Sequence, residues 1–334
     1  MDLQLREVRH NLDKYNGKNG ENDMPKGMYS QGVAVLLSTA VPIHKIADML
    51  KDPFEIANIE ETFDKWVFSG PSLLIPYRPE VNGYIQVDVV DKPWPDSMGD
   101  PAEDTVLFGA WSMGFFGPFT FSDSLERAVQ QSWGFPEGRQ AASEHNAFIR
   151  IRSSFVLGEA NDQAPILPED YEALPELMTV TAIAGALLKM PEALCFFNPN
   201  GECLASAELM QELNQRYEQI QLLPLELWSN VRLFNLPEGW LLMDTVGMQQ
   251  LDVIDHEAVF NGDAYDPNEV ASFLRNISNY VYENGPVIND GDTTDGPGEE
   301  IWKCVLLEEG LASPPRDVLR WYPLDGREKP AGLE

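Results

Sequence analysis

One segment constrains the fold more than any other. Asp266-Pro-Asn-Glu269 opens it, Asn284-Gly-Pro286 closes it, and Val270, Phe273, Leu274, Ile277, Tyr280 and Val281 recur between them at helical spacing. An Asp side chain accepts from free N–H groups of a first turn, Pro in the first helical position forfeits no hydrogen bond, and Glu three places on closes a box on the cap. The spacing therefore predicts an amphipathic helix of about five turns whose single apolar stripe needs a layer to cover it. β-rich runs flank it, at Val231 to Leu236, Trp240 to Val246 and Leu251 to Phe260 before it and Ile301 to Leu307 after it. Strands alternating with such a helix exclude an all-helical bundle and an all-β sandwich.

The first half carries the same order. Val33 to Leu37 reads as a buried strand, and Pro42 to Leu50 as a helix with Ile43, Ile46, Ala47 and Leu50 on one face. Ser72 to Tyr77 and Tyr84 to Val90 form a hairpin around Arg78-Pro-Glu-Val-Asn-Gly83, Ser122 to Trp133 a capped helix, and Ala147 to Val156 a strand with Phe148, Arg150 and Arg152 on one side. Glu159 to Leu174, acidic and holding Pro165 and Pro168, lacks a regular period and reads as a linker. After it come a helix over Glu176 to Lys189, a strand over Leu194 to Phe197 and a helix over Ser206 to Ile220. The expected fold is α+β, with two tandem βαββαβ, ferredoxin-like halves and helices packed on antiparallel or mixed sheets. The expected divisions are a flexible polar arm (1–30), a first half (31–157), an acidic linker (158–176), a second half (177–310) and a C-terminal extension (311–334).

Charge narrows the partners. Lys and Arg number 23 against 54 Asp and Glu, a net −31, which repels phosphate backbones and anionic lipid and argues against nucleic-acid or membrane binding. No apolar run reaches the roughly 20 residues of a membrane span, and the first thirty residues hold no apolar core of a secretory signal, so a cytoplasmic protein is expected. Cys195, Cys203 and Cys304 are odd in number and lack Cys-x-x-Cys spacing, which predicts buried reduced thiols and no zinc or disulfide framework. The acidity belongs to the folded body: Leu233 to Trp302 holds fourteen acids and one base, Arg275. A solvated surface and a docking surface for a basic partner both account for it.

Phe108 to Phe121, extended to Trp133 and Phe135, places eight aromatics in twenty-eight residues, where a composition of 10% predicts about three. Its glycines permit close approach, so it is either a binding loop or a cover that seals a core edge, and burying aromatics is what cores commonly do. Ala110-Trp-Ser-Met-Gly114 inside it has the shape of a relaxed nucleophile elbow, but Phe-Phe-Gly-Pro-Phe after it cannot open the helix an elbow needs. Asp290-Gly-Asp-Thr-Thr-Asp-Gly296 fails the register of a calcium loop, with Thr294, Asp295 and Ile301 at the fifth, sixth and twelfth places. Asp252-Val-Ile-Asp-His-Glu257 is the densest titratable cluster, and strand alternation puts Asp255 and Glu257 on one face and His256 on the other.

Leu242-Met-Asp-Thr-Val-Gly-Met248, Asp255-His-Glu257, the capped helix ending at Gly285 and Asn289-Asp-Gly-Asp-Thr293, with Val33 to Ser38 and Thr179 to Ala186, resemble a bacterial family known as domain of unknown function 4261, over roughly residues 32–310. Thr294-Asp-Gly-Pro297 departs from the small or aliphatic residue and Gly expected after Gly-Asp-Thr, and the aromatic stretch around Trp111 looks like a subgroup feature. The family has no established reaction, so the resemblance implies no catalytic residues; it implies a likeness to acidic cytosolic partners found near bacterial toxin and secretion loci.

The resulting expectation is a non-enzymatic protein that binds a basic protein, most concretely an immunity-type inhibitor of a basic bacterial toxin or secretion-system effector, with no cofactor and no metal. Its partner-binding residues would be Trp111, Phe115, Phe116, Phe119, Asp252, Asp255, Glu257, Asp290, Asp292 and Asp295. The alternative is an enzyme or small-molecule or metal binder with a polar site of His145, His256 and Glu257 between the two halves.

Overall fold

A computed structural model describes residues 28–61, 70–157 and 167–329. They divide into two compact units, 28–228 and 229–329. Each is a sheet with helix on one face and a cover of a different kind on the other, so the α+β class holds.

The first unit is built on an antiparallel sheet in the order β2 (Asn58–Glu60), β3 (Ser72–Arg78), β4 (Gly83–Val90), β5 (Ala147–Ser154), β1 (Gln31–Leu37), β6 (Ala193–Asn198) and β7 (Cys203–Ala205). β1 is buried along its whole length because both faces are covered, which is why its sequence reads as a continuous apolar run rather than an alternating one. On one face lie α1 (Ile43–Leu50) and α5 (Ala173–Leu187), the latter burying Val180, Ile183, Ala184 and Leu187. On the other lie α2 (Thr105–Ser112), α3 (Ser124–Gln130) and α4 (Gly138–Glu144), all from the connection between β4 and β5. α6 (Ala207–Ile220) starts after Ser206, whose side chain caps it by accepting from the Leu209 N–H.

The second unit is a mixed sheet in the order β11 (Thr293–Asp295), β12 (Ile301–Leu307), β13 (Val318–Pro323), β10 (Asp255–Asn261), β9 (Trp240–Val246) and β8 (Asn230–Asn235), parallel only at β10–β13. The helix that anchors the sequence reading is present as α7 (Pro267–Asn284), with Asp266 accepting from the Asn268 N–H. It packs Val270, Phe273, Leu274, Ile277 and Val281 onto Met243, Phe260, Trp302, Leu319 and Trp321. A short strap, residues 308–317 between β12 and β13, lies on the opposite face beside Trp240, Leu242, Val259 and Tyr322.

Four expectations about organisation are corrected. Three strands separate β1 from β2, the strand its first helix leads to, so the first unit is not a ferredoxin-like βαββαβ half. Residues 167–176 do not divide the chain: α5 begins at Ala173, and β6 and β7 complete the sheet of the first unit, which runs to Trp228; the rest of the expected linker, 158–166, lies outside the described residues. Of the expected polar arm, 1–27 also lies outside them, while Tyr29 and Ser30 are buried. The expected C-terminal extension holds β13, a fully buried strand at the middle of its sheet, masked in the sequence by Arg320 inside it and by Pro314 and Pro315 before it.

Candidate functional site

β4 and β5 are antiparallel neighbours, with Val90 opposite Phe148. A hairpin turn of about 2–5 residues would join them, yet the chain leaves the sheet at Asp91 and returns at Asn146 after three helices. An insertion of this size on a rigid hairpin is the place where binding function concentrates.

The lobe has its own core. Trp94 stands at its centre, with Phe116, Phe148 and Phe197 at ring distances of 5.2, 5.1 and 5.1 Å and Trp111 at 6.5 Å. Leu107, Ala110, Leu125, Ala128 and Phe135 complete it over Ala34 and Leu36 of β1. Polar bonds fix the lobe to the sheet. The Asn200 amide donates to the Pro118 carbonyl at 2.8 Å and Arg127 Nε to the buried Glu202 carboxylate at 2.6 Å, while within the lobe the Trp94 N–H donates to His145 Nε2 at 2.8 Å. Arg150 and Arg152 each donate from Nη1 to the Phe115 carbonyl, at 3.1 and 2.9 Å. These two guanidinium groups share one carboxylate, Asp88, at 2.5 and 2.9 Å; Arg152 also reaches Gln86 at 3.0 Å and lies 4.1 Å from the Tyr29 ring centroid.

The structure therefore seals Trp111 (7% exposed) and Phe116 (2%) into this core, and Phe115 and Phe119 are half-buried, so the expected aromatic anchors are chiefly cover. What the lobe presents is different. Val106, Met113, Phe121 and Trp133 are four of the six large apolar side chains exposed in the first unit's described residues, and between Lys92 and Arg127 the chain holds six acids and no base. Five of those acids, Asp100, Glu103, Asp104, Asp123 and Glu126, are exposed; the sixth, Asp96, accepts from the Leu125 and Glu126 N–H groups at the start of α3, and its burial pushes its carboxyl above the usual range.

In the second unit Asp255 and Glu257 are also corrected, because both are buried ion-pair members rather than docking charges. Glu257 accepts from Arg320 Nε at 2.8 Å and from the Leu311 N–H of the strap at 2.7 Å. Asp255 accepts from the Thr245 hydroxyl at 2.8 Å and from the Gly247 N–H at 3.2 Å, with Arg316 Nε at 3.3 Å; its burial still pushes its carboxyl above the usual range. Asp244 holds Arg232 at 2.5 Å and Arg316 at 2.6 Å, and those two arginines donate in turn to the strap carbonyls of Ser313, Ala312 and Pro314. Three carboxylates thus meet three guanidinium groups where the strap lies on the sheet, one of them the strap's own Arg316. Sequence reading missed Arg232, Asp244, Arg316 and Arg320; for Arg232, Asp244 and Arg320 the available signal was a lone charge inside a largely apolar strand, and Arg316, in the strap, had none.

The alternative polar site does not assemble. His256 and Glu257 lie on opposite faces of β10, and His256 is buried under α7 with Trp321 Nε1 at 3.4 Å from its Nδ1; that burial holds its pKa down at about 3. His145 is engaged by Trp94 N–H and the Ala142 carbonyl within the first unit. Among the described residues no group of three or more His, Cys, Asp or Glu could hold a metal ion, and no helix is long and apolar enough to cross a membrane. The three cysteines are buried and form no disulfide. Asp252, Asp290, Asp292 and Asp295 are exposed, but they do not form one face: Asp252 follows the end of β9, Asp295 pairs with Ile301 at the other end of the sheet, and Asp290 and Asp292 accept from nearby backbone N–H groups.

The fold and the lobe define a two-unit α+β protein whose distinctive surface is an acidic aromatic insertion. Residues 244–322 match the model of the family described as Domain of unknown function (DUF4261). The match covers the strap network apart from Arg232 and, within the resemblance over roughly 32–310, none of the first unit. No curated protein and no solved structure matches the chain.

Proposed function

We propose that this is a non-enzymatic cytoplasmic protein that binds a basic protein, acting as an immunity-type inhibitor of a basic bacterial toxin or secretion-system effector. The observation that carries the reading is the lobe between β4 and β5: an insertion far longer than a hairpin turn, seated on the sheet by polar bonds, with six acids and no base between Lys92 and Arg127 and with exposed apolar side chains. Uncompensated acids steer a basic partner and raise its association rate, while apolar contacts set its residence time. Acids elsewhere on the chain add to the steering field without forming a second docking face.

Affinity capture from the host that carries the gene, at low salt and with protein identification, tests this. One dominant basic protein, released by raising the salt, supports the reading when deletion of residues 91–146 abolishes its capture by a chain that still folds. Recovery of no basic protein overturns it.

A further inference from the structure

Gly109 is the residue of the lobe that the fold itself does not explain. It sits inside α2, where Gly costs about 1 kcal/mol relative to Ala, it has no left-handed backbone angle, and a Cβ built on it would meet no atom within 4 Å. Neither internal packing nor backbone geometry asks for a glycine there. Val106 and Gly109 of α2 and Met113 at its C-cap fall at i, i+3 and i+7 along one side, flanking the buried stripe of Leu107, Ala110 and Trp111. Val106 is 47% exposed and Met113 46%, so the face presents two apolar side chains with a notch between them where a third would stand. Exposed Asp100, Glu103 and Asp104 border its N-terminal end.

We infer that this face of α2 is the contact surface of the proposed protein-binding activity, and that its occupant is a basic amphipathic helix of the partner, which seats one apolar side chain in the Gly109 notch. A glycine between two larger residues lets a second helix approach closely and fit a ridge into the gap, the Met113 thioether adapts to the incoming side chain, and Lys or Arg flanking the partner's apolar stripe complements the bordering acids. A second copy of this chain would bring the same acids against one another, which disfavours self-association through this face.

The inference rests on the protein-binding reading, and its test separates the two. The probe is a synthetic amphipathic Leu/Lys helix of about 18 residues, titrated into isotope-labelled protein, with a peptide of the same composition in scrambled order as control for net-charge attraction. The expected result is chemical-shift change centred on residues 103–113 and affinity at least about tenfold above the scrambled peptide. Gly109→Leu, whose Cβ would meet no atom within 4 Å, is expected to lose at least about tenfold in peptide affinity while its melting temperature is unchanged or higher; Val106→Lys supplies a second disruption of the same face. Shifts centred elsewhere, equal binding of the scrambled peptide, or unimpaired binding by Gly109→Leu overturns the inference. So does a dimer of the wild-type chain that Gly109→Leu disperses, since that outcome makes a second copy the occupant. A basic partner captured from the host and retained by Gly109→Leu overturns this surface and leaves the protein-binding reading standing.

Discussion

The two sheets solve the same problem with different covers. In each, helix protects one face and charged side chains tie the other to a connection that lies over it: Arg150 and Arg152 of β5 donate to the Phe115 carbonyl in the first unit, while in the second Arg232 of β8 donates to Ser313 of the strap and the strap's own Arg316 reaches Asp244 and Asp255 on the strands. The first cover is a lobe with three helices and an aromatic core. The second is a strap with Ala312 as its packed apolar side chain. A cover that brings its own core tolerates imperfect charge pairing beneath it, which is how one Asp88 serves two arginines. A cover without a core is held by charge, and there carboxylates and guanidinium groups match in number. The lesson is that buried polar groups here seat connections on sheets, so the dense titratable cluster on β10 is a structural clamp.

Truncating the acid at the centre of each network breaks this comparison most severely. Asp244→Ala leaves Arg232 and Arg316 buried without their shared carboxylate and is expected to cost about 3–5 kcal/mol, read as a shift in denaturant midpoint. Asp88→Ala is expected to cost less, because the Phe115 carbonyl and Gln86 still receive the two guanidinium groups; an equal or larger loss would show that the lobe does not share the burden. Trp111→Ala is next, at about 3–5 kcal/mol at most, and it should expose the lobe to proteolysis before the rest of the first unit; uniform unfolding would contradict a lobe that is seated as a separate cover.

A smaller effect is expected in the strap. A Cβ at Gly310 would lie 2.6 Å from Glu257 Oε1 and 3.2 Å from Val318 Cγ1, so Gly310→Ala is expected to cost about 1–3 kcal/mol and to raise hydrogen exchange at Leu311, whose N–H donates to Glu257. Unchanged exchange there would mean that Glu257 does not hold the strap.

Acidification separates the units by another route. His256 has its pKa lowered by burial from 6.5 to about 3, so between those values the unfolded state takes up a proton that the folded state refuses. Stability linked to this group is full above pH 6.5 and falls as the pH drops through the window, by at most about 1.4 kcal/mol per pH unit. His256→Phe should flatten that slope whatever it does to the midpoint. Gly109→Ala is the smallest change, a gain of up to about 1 kcal/mol if nothing in the chain needs the glycine, measured by thermal melting.

Local chemistry made much of the fold legible. Asp266 and Pro267 announced α7, helical spacing placed α6, and period-two or continuous apolar runs located β1, β3, β4 and β9 close to their observed limits. Alternation alone put Asp255 and Glu257 opposite His256. The site was less legible. Trp111 and Phe116 carry the residue type of an interface anchor and of a core, and only the sheet beneath them makes them core. Arg316 and Arg320 lay in what read as an extension, because a strand with a charge at its centre and prolines before it has no period to detect.

The sequence by itself determined the α+β class, the surest helices, the acidity that repels phosphate, and the likeness to a family whose model matches residues 244–322. These follow from spacing, capping and composition, which act between near neighbours or over the whole chain. Only the tertiary structure decided that the units divide after Trp228, that β13 is central, that three of the fourteen acids of the second half are neutralised in pairs, and that Gly109 lies on an open face. Those facts depend on which strands meet across long separations in sequence, because strand pairing, and not local propensity, decides which side of each residue is covered.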